Sequence, residues 1–107
     1  MMSRVKALHH VPAPKTVTVG GKTFQVRIDD SQTVARGRDG VCDPLTESIC
    51  ICSHLPSAWK SSTYFHEIVE AVNTIWLAES LNHDDIDRLG EAIYQVFSDM
   101  GIEIDWA

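Results

Sequence analysis

His66-Glu67-Ile68-Val69-Glu70 is the stretch whose residue types and spacing could do chemistry. On an α-helix His66 and Glu70 stand one turn apart and about 40° apart around the axis, so an imidazole nitrogen and a carboxylate can reach one ion. Glu67 lies about 100° from His66, at the edge of that face, where a general base for an ion-activated water belongs. The pattern H-E-x-x-E differs in its last residue from H-E-x-x-H, in which two histidines at i and i+4 bind zinc. Either the final Glu abolishes such a site, or it serves as a ligand in a different set.

A catalytic zinc takes three protein ligands and keeps one position open. His83 is a third donor, placed where a second helix starts after a short connection, so that its first turn can fold back over the first helix. His66, Glu70 and His83 make two imidazoles and one carboxylate, a ligand composition zinc peptidases use. Glu67 then remains as the base. Glu91 on the second helix and His54 after a strand are rival third ligands. Asn73, about 20° from His66 on the same face, reads either as a substrate or supporting contact or as a solvated polar residue. The bland alternative is that a five-residue match is the wet face of an amphipathic helix.

These residues need elements to hold them. Lys15-Thr16-Val17-Thr18-Val19 and Lys22 to Ile28, around Gly20-Gly21, predict a hairpin. Residues 29–47 carry many turn formers and read as loop, with a short extended or helical piece over 32–36. Ser48-Ile49-Cys50-Ile51-Cys52 predicts a third strand. A helix is expected over residues 58–80, capped by Ser57, with Phe65, Ile68, Val69, Val72, Ile75 and Trp76 as its buried stripe. A second is expected over 83–99, capped by Asn82 and ended by Gly101, with Ile86, Leu89, Ile93, Val96, Phe97 and Met100 inward. Ile102 to Trp106 alternates apolar and acidic residues and predicts a last short strand or tail. Residues 1–14 read as an irregular lead-in to a single domain over 15–107.

The 107 residues fit one domain with a modest core. A net charge of −6 without a basic stripe argues against nucleic acid as partner. No apolar run reaches the length of a membrane span, and the first eleven residues lack a secretory h-region, so the expected location is the cytoplasm. The three cysteines, an odd number, fit that setting. Cys50 and Cys52 with Cys42 could bind metal, but no second pair exists, and buried inert thiols are the better account. Trp59, Trp76 and Trp106 are too dispersed for a stacking platform and read as packing anchors. Tyr64 and Tyr94 also read as packing residues, although either hydroxyl could donate to an oxyanion.

The order of hairpin, Gly40-Val41-Cys42-Asp43 turn, strand, Tyr64-Phe65-His66-Glu67-Ile68-Val69-Glu70-Ala71, Leu81-Asn82-His83 and Leu89-Gly90-Glu91-Ala92-Ile93-Tyr94-Gln95-Val96-Phe97 resembles small phage- and prophage-encoded metallopeptidase-like proteins. These are similar to zincins of the ImmA/IrrE type. The resemblance covers about residues 15–100 and departs at Glu70, where better-characterised relatives carry His. It implies a minimal zincin-like α+β fold: a small antiparallel or mixed sheet of three to four strands, an active-site helix and a second helix supplying a ligand. It also implies Zn2+ and a phage or bacterial protein of the cell interior acting on regulatory proteins. Two functions are therefore expected in competition. One is a narrow-range zinc metallopeptidase; the other is a catalytically silent, metal-stabilised module that binds a phage or host protein.

Overall fold

A computed structural model describes residues 8–107, arranged as an α+β fold with two sheets. The predicted hairpin is β2 (Thr16–Val19) and β3 (Lys22–Ile28), in antiparallel register with Val17 opposite Phe24. The third predicted strand is β5 (Ser48–Ile51), which pairs parallel to β3. A strand not anticipated, β4 (Gly40–Asp43), pairs antiparallel to β5 and closes the order β2-β3-β5-β4. Its turn is built by Asp43, whose Oδ1 accepts from the Leu45 and Thr46 amides, so the residues that read as loop make a hairpin. Within the same stretch, α1 (Asp30–Thr33) runs into a 3₁₀ turn over Val34–Arg36.

β1 (His9–Pro12) lies in what read as an irregular lead-in; it pairs parallel to β6 (Ile102–Asp105). The part of the expected lead-in over 1–7 lies outside the described residues. The last short strand thus has a partner some ninety residues away in sequence, which no local pattern announces.

Against the larger sheet lies α2 (Ser57–Trp76). Phe24, Ile49 and Ile51 from the sheet, with Tyr64 and Ala71 from α2, form the buried core. Pro56, not Ser57, holds the cap position, and no side chain caps that end. The helix also stops four residues before the expected Ser80. Asn73 is the cause: it is buried, its carbonyl accepts the Leu77 and Glu79 amides, and its Oδ1 accepts the Leu81 amide at 3.0 Å. It is therefore neither a solvated residue nor part of the cleft described below, but the fastening of the interhelical turn. Trp76, expected inward, is exposed.

α3 (His83–Asp99) has the expected bounds, with Asn82 Oδ1 accepting the Asp85 amide as N-cap. Its stripe divides. Ile86 is buried and Phe97 packs on Phe65 at 5.2 Å between ring centroids, whereas Leu89, Val96 and Met100 are exposed. Among the described residues no helix is long and apolar enough to cross a membrane.

The interhelical turn holds Ala78 (φ 49°) and Glu79 (φ 59°) in the left-handed region. A side chain there is strained by about 1–2 kcal/mol, of which glycine recovers only part because it also frees the unfolded chain. Glu79→Gly is therefore expected to stabilise the protein by roughly 0.5–1 kcal/mol, read as a raised thermal midpoint.

Candidate metal centre

Two close approaches place the pentapeptide. At Gly40 on β4, a Cβ would stand 2.5 Å from Thr63 Cγ2 and 3.0 Å from Glu67 Oε2. At Gly90 on α3, it would stand 2.9 Å from the Cα of His66. The strand thus presses on Glu67 from one side and α3 presses on His66 from the other, both through residues without a side chain. Neither glycine stands out in sequence, because close approach is a tertiary property.

His66 Nε2 faces two carboxylates, 3.9 Å from Glu70 Oε2 and 4.0 Å from Glu67 Oε2. These are too long for hydrogen bonds. They suit donors converging on a point between them: His66, Glu67 and Glu70 each bring one ligand atom within 4.8 Å of the others. The other ring nitrogen is engaged, with Nδ1 3.2 Å from Asp87 Oδ1. A carboxylate on the far nitrogen orients a ligating imidazole and fixes which nitrogen carries the proton. Asp87 was not foreseen. The available clue was its place one turn after His83, on the face of α3 that turns to α2.

His83, the expected third ligand, stands at the rim of this group. Its ring is edge-on to His66 with centroids 6.1 Å apart, and its Nε2 is 3.8 Å from Asp87 Oδ2. Its side chain is 76% exposed, so it adjoins the compact three-atom cluster without belonging to it. Glu91 lines the same cleft and accepts the Ser62 hydroxyl. His54 does not line it; its Nε2 lies 3.6 Å from Asp30 Oδ2. Tyr64 is buried in the core, and Tyr94 lines a separate depression beside β6. Trp106 is an anchor as expected, donating its Nε1–H to Ser61. Trp59 is not: it is 54% exposed and lines the cleft.

The cleft holds about 530 Å³ between α2, α3 and the start of β4. Glu67 is only 5% exposed at its floor. Burial, then the neighbouring Glu70 charge, push its carboxyl up to about 8, against a smaller opposing pull from Arg38. Cys42, beside both carboxylates, is driven up to about 12 by burial and then by Glu67 and Glu70, so its thiol stays protonated. Cys50 and Cys52 are buried, as expected of inert thiols.

No family model, curated protein or solved structure matches the chain, so its chemistry has to be argued from these residues. The donor set fits a divalent ion of the zinc type: imidazole nitrogen with carboxylate oxygens, an oriented ligand ring and an open cleft in front. A dication beside Glu67 also reverses the charge balance that keeps this carboxyl protonated.

Two predictions follow from these contacts. In protein stripped with EDTA, the carboxyl held near 8 in the fold has an ordinary value of 4.5 when unfolded. Between those values the folded state binds more protons, so stability falls as pH rises from about 5 to about 8. Glu67→Gln should flatten that dependence in thermal melts, and a parallel slope in both proteins would refute the assignment. Separately, Gly90→Ala drives a Cβ into backbone, so it should cost about 1–3 kcal/mol and disturb the His66 imidazole signals by NMR. Gly21→Ala, with open space around the glycine, is the control.

Proposed function

We propose that the cleft is the active centre of a zinc-dependent metallopeptidase that cuts a protein segment bound in extended form. His66, Glu70 and His83 serve as ligands and Glu67 as general base. The observation that carries this reading is the two-sided engagement of His66: Asp87 on Nδ1, and Glu67 with Glu70 converging on Nε2. An imidazole held this way is prepared as a ligand rather than as a surface residue. Zinc, when bound, supplies Lewis acidity toward a water and a substrate carbonyl.

This chain's residues supply the rest. Glu67 accepts the proton from the water as the oxygen bonds to the carbonyl carbon, then delivers it to the amine as the C–N bond breaks. Its raised affinity for protons suits the second half of that task. His83, exposed at the rim with its ring edge-on to His66, would complete the ligand set. The sheet edge supports a peptide. β4 ends the order β2-β3-β5-β4, and the Cys52 amide donates to the Asp39 carbonyl. By antiparallel alternation, the backbone groups of Gly40 and Cys42 then point off the free edge, available to an added strand. The resemblance to ImmA/IrrE-type proteins adds regulatory proteins as the substrate class and the interior of a bacterial cell as the setting.

A second reading rests on one distance. Glu67 Oε2 is as near to His66 Nε2 as Glu70 Oε2 is, so Glu67 could itself be a ligand in a closed structural site. The protein would then be a silent, metal-stabilised binding module.

Elemental analysis of untagged protein separates the two. For the peptidase, about one zinc per chain is expected in the wild type. His83→Ala should lose most of it, and Glu67→Gln should keep the metal while losing cleavage. Metal lost in Glu67→Gln and retained in His83→Ala would establish the structural site and overturn the peptidase.

A further inference from the structure

The cleft is longer than the metal cluster needs, and its far end has a different character. Trp59, Thr63, His66, Glu67 and Glu70 lie along one face of α2 and all line it. Trp59 is seven positions before His66, so its end of the cleft is about 10 Å from the metal centre. That distance is spanned by about three residues of extended peptide. β4 and the residues before it run the same way: Asp39 lies beside Trp59, and Gly40 beside Thr63 and Glu67. A peptide on the free edge of β4 therefore travels from the metal centre to Trp59.

Two independent features mark what that end accepts. The first is the indole. Trp59 is more than half exposed within a concave surface, and its Nε1–H donates to Asp39 Oδ2 at 3.1 Å. That bond ties the indole to Asp39 while more than half of the side chain stays uncovered at the cleft, and an uncovered indole is a surface that attracts a cation. The second is charge. The side chains lining the cleft include five carboxylates, Asp39, Glu67, Glu70, Asp87 and Glu91, against one guanidinium, Arg38. A dication at His66 would leave the balance negative. Arg38 pulls on Glu67 less than burial and the Glu70 charge push it. Asp39 holds the Trp59 indole, and Glu91 accepts the hydroxyl of Ser62, about one turn further along α2. Carboxylates alone would be an ordinary solvated rim; carboxylates around an oriented, uncovered indole make a receptor for an ammonium or guanidinium group.

We propose that the Trp59 end of the cleft, bounded by Asp39 and Glu91, is a subsite for a lysine or arginine side chain about three residues from the bond at His66. This rests on the peptidase reading for the direction of the peptide, and it makes the substrate a segment bearing a basic residue at that spacing.

The test uses capped alanine hexapeptides carrying a single Arg, Glu or norleucine, titrated into the full-length protein. The Trp59 indole N–H signal is followed by NMR, once in EDTA and once with one equivalent of Zn2+. The Arg peptide should bind about tenfold more tightly than the Glu peptide, with norleucine between. Trp59→Ala and Glu91→Gln should each reduce the Arg advantage at least about threefold while preserving amide signals away from the cleft. Equal affinity for the Arg and Glu peptides, an advantage that survives both substitutions, or no binding by any of the three would overturn the subsite. The EDTA series judges the subsite by itself, whereas zinc content and cleavage judge the metal centre. Zinc bound with no Arg preference therefore removes this proposal alone, and an Arg preference in protein that takes up no zinc removes the peptidase reading alone.

Discussion

α3 passes His66 at a distance that only a glycine permits, and the site is organised by that approach. With Gly90 against the His66 backbone, the first two turns of α3 lie over the middle of α2. This brings Asp87 to the far nitrogen of the imidazole and the His83 ring edge-on to it. The helix pair is anchored at one end by Phe65 on Phe97 and at the other by the Asn73 side chain, which fastens the strained turn. The strain at Ala78 and Glu79 is tolerated because the turn must be short enough to start α3 at His83. Relaxing the approach would separate the two helices where His66 meets Asp87 and His83, although the hydrophobic core lies elsewhere.

The other side of the site is an electrostatic load. A carboxylate at the floor of a cleft, beside a second carboxylate and a half-buried thiol, opposes folding once it ionises. Nothing in the packing requires an acid there. Gly40 even leaves room for it, since a side chain on that strand position would strike Glu67 and Thr63. Such a group is retained at the cost of stability in proteins that use it, and perturbed carboxyls in clefts are concentrated at functional positions. This separates Glu67 from the bland reading of the pentapeptide: a wet helix face would not bury its middle carboxylate.

The sequence displayed the elements whose signals are local. Alternation around Gly20-Gly21 located the hairpin, β-branched residues located β5, and Asn82 with Gly101 bounded α3. It concealed what depends on contact across the chain. β1 and β6 pair from opposite ends, and each is too short to be distinguished from a tail. β4 is masked by flanking Asp, Gly and Pro that also suit a loop, and by a side chain, Asp43, that makes its turn. The end of α2 at Trp76 is also hidden, because the Asn73 contacts that fasten the following turn have no local signature. Within the site, His66, Glu67 and Glu70 were visible from their spacing and do converge, whereas Asp87, Trp59, Gly40 and Gly90 enter it only once α3 and β4 are in place. His54, a rival third ligand by its place after β5, is instead beside Asp30 in the fold.

Glu70 then has a meaning beyond that of a substitute ligand. Its charge is the second largest cause of the raised proton affinity of Glu67, after burial. An imidazole in its place would contribute no such repulsion while neutral. On the proposed reading the carboxylate couples the base to the ion: without a cation the pair lowers its energy by keeping one proton on Glu67, and a cation between them would remove the reason to hold it. Loading such a site displaces a proton, so affinity for the ion rises with pH across the range in which Glu67 would otherwise stay protonated. A histidine at position 70 would remove this repulsion and leave burial, the larger cause, in place. On the peptidase reading, Glu70 adds to burial in holding the proton on the base until the metal is present.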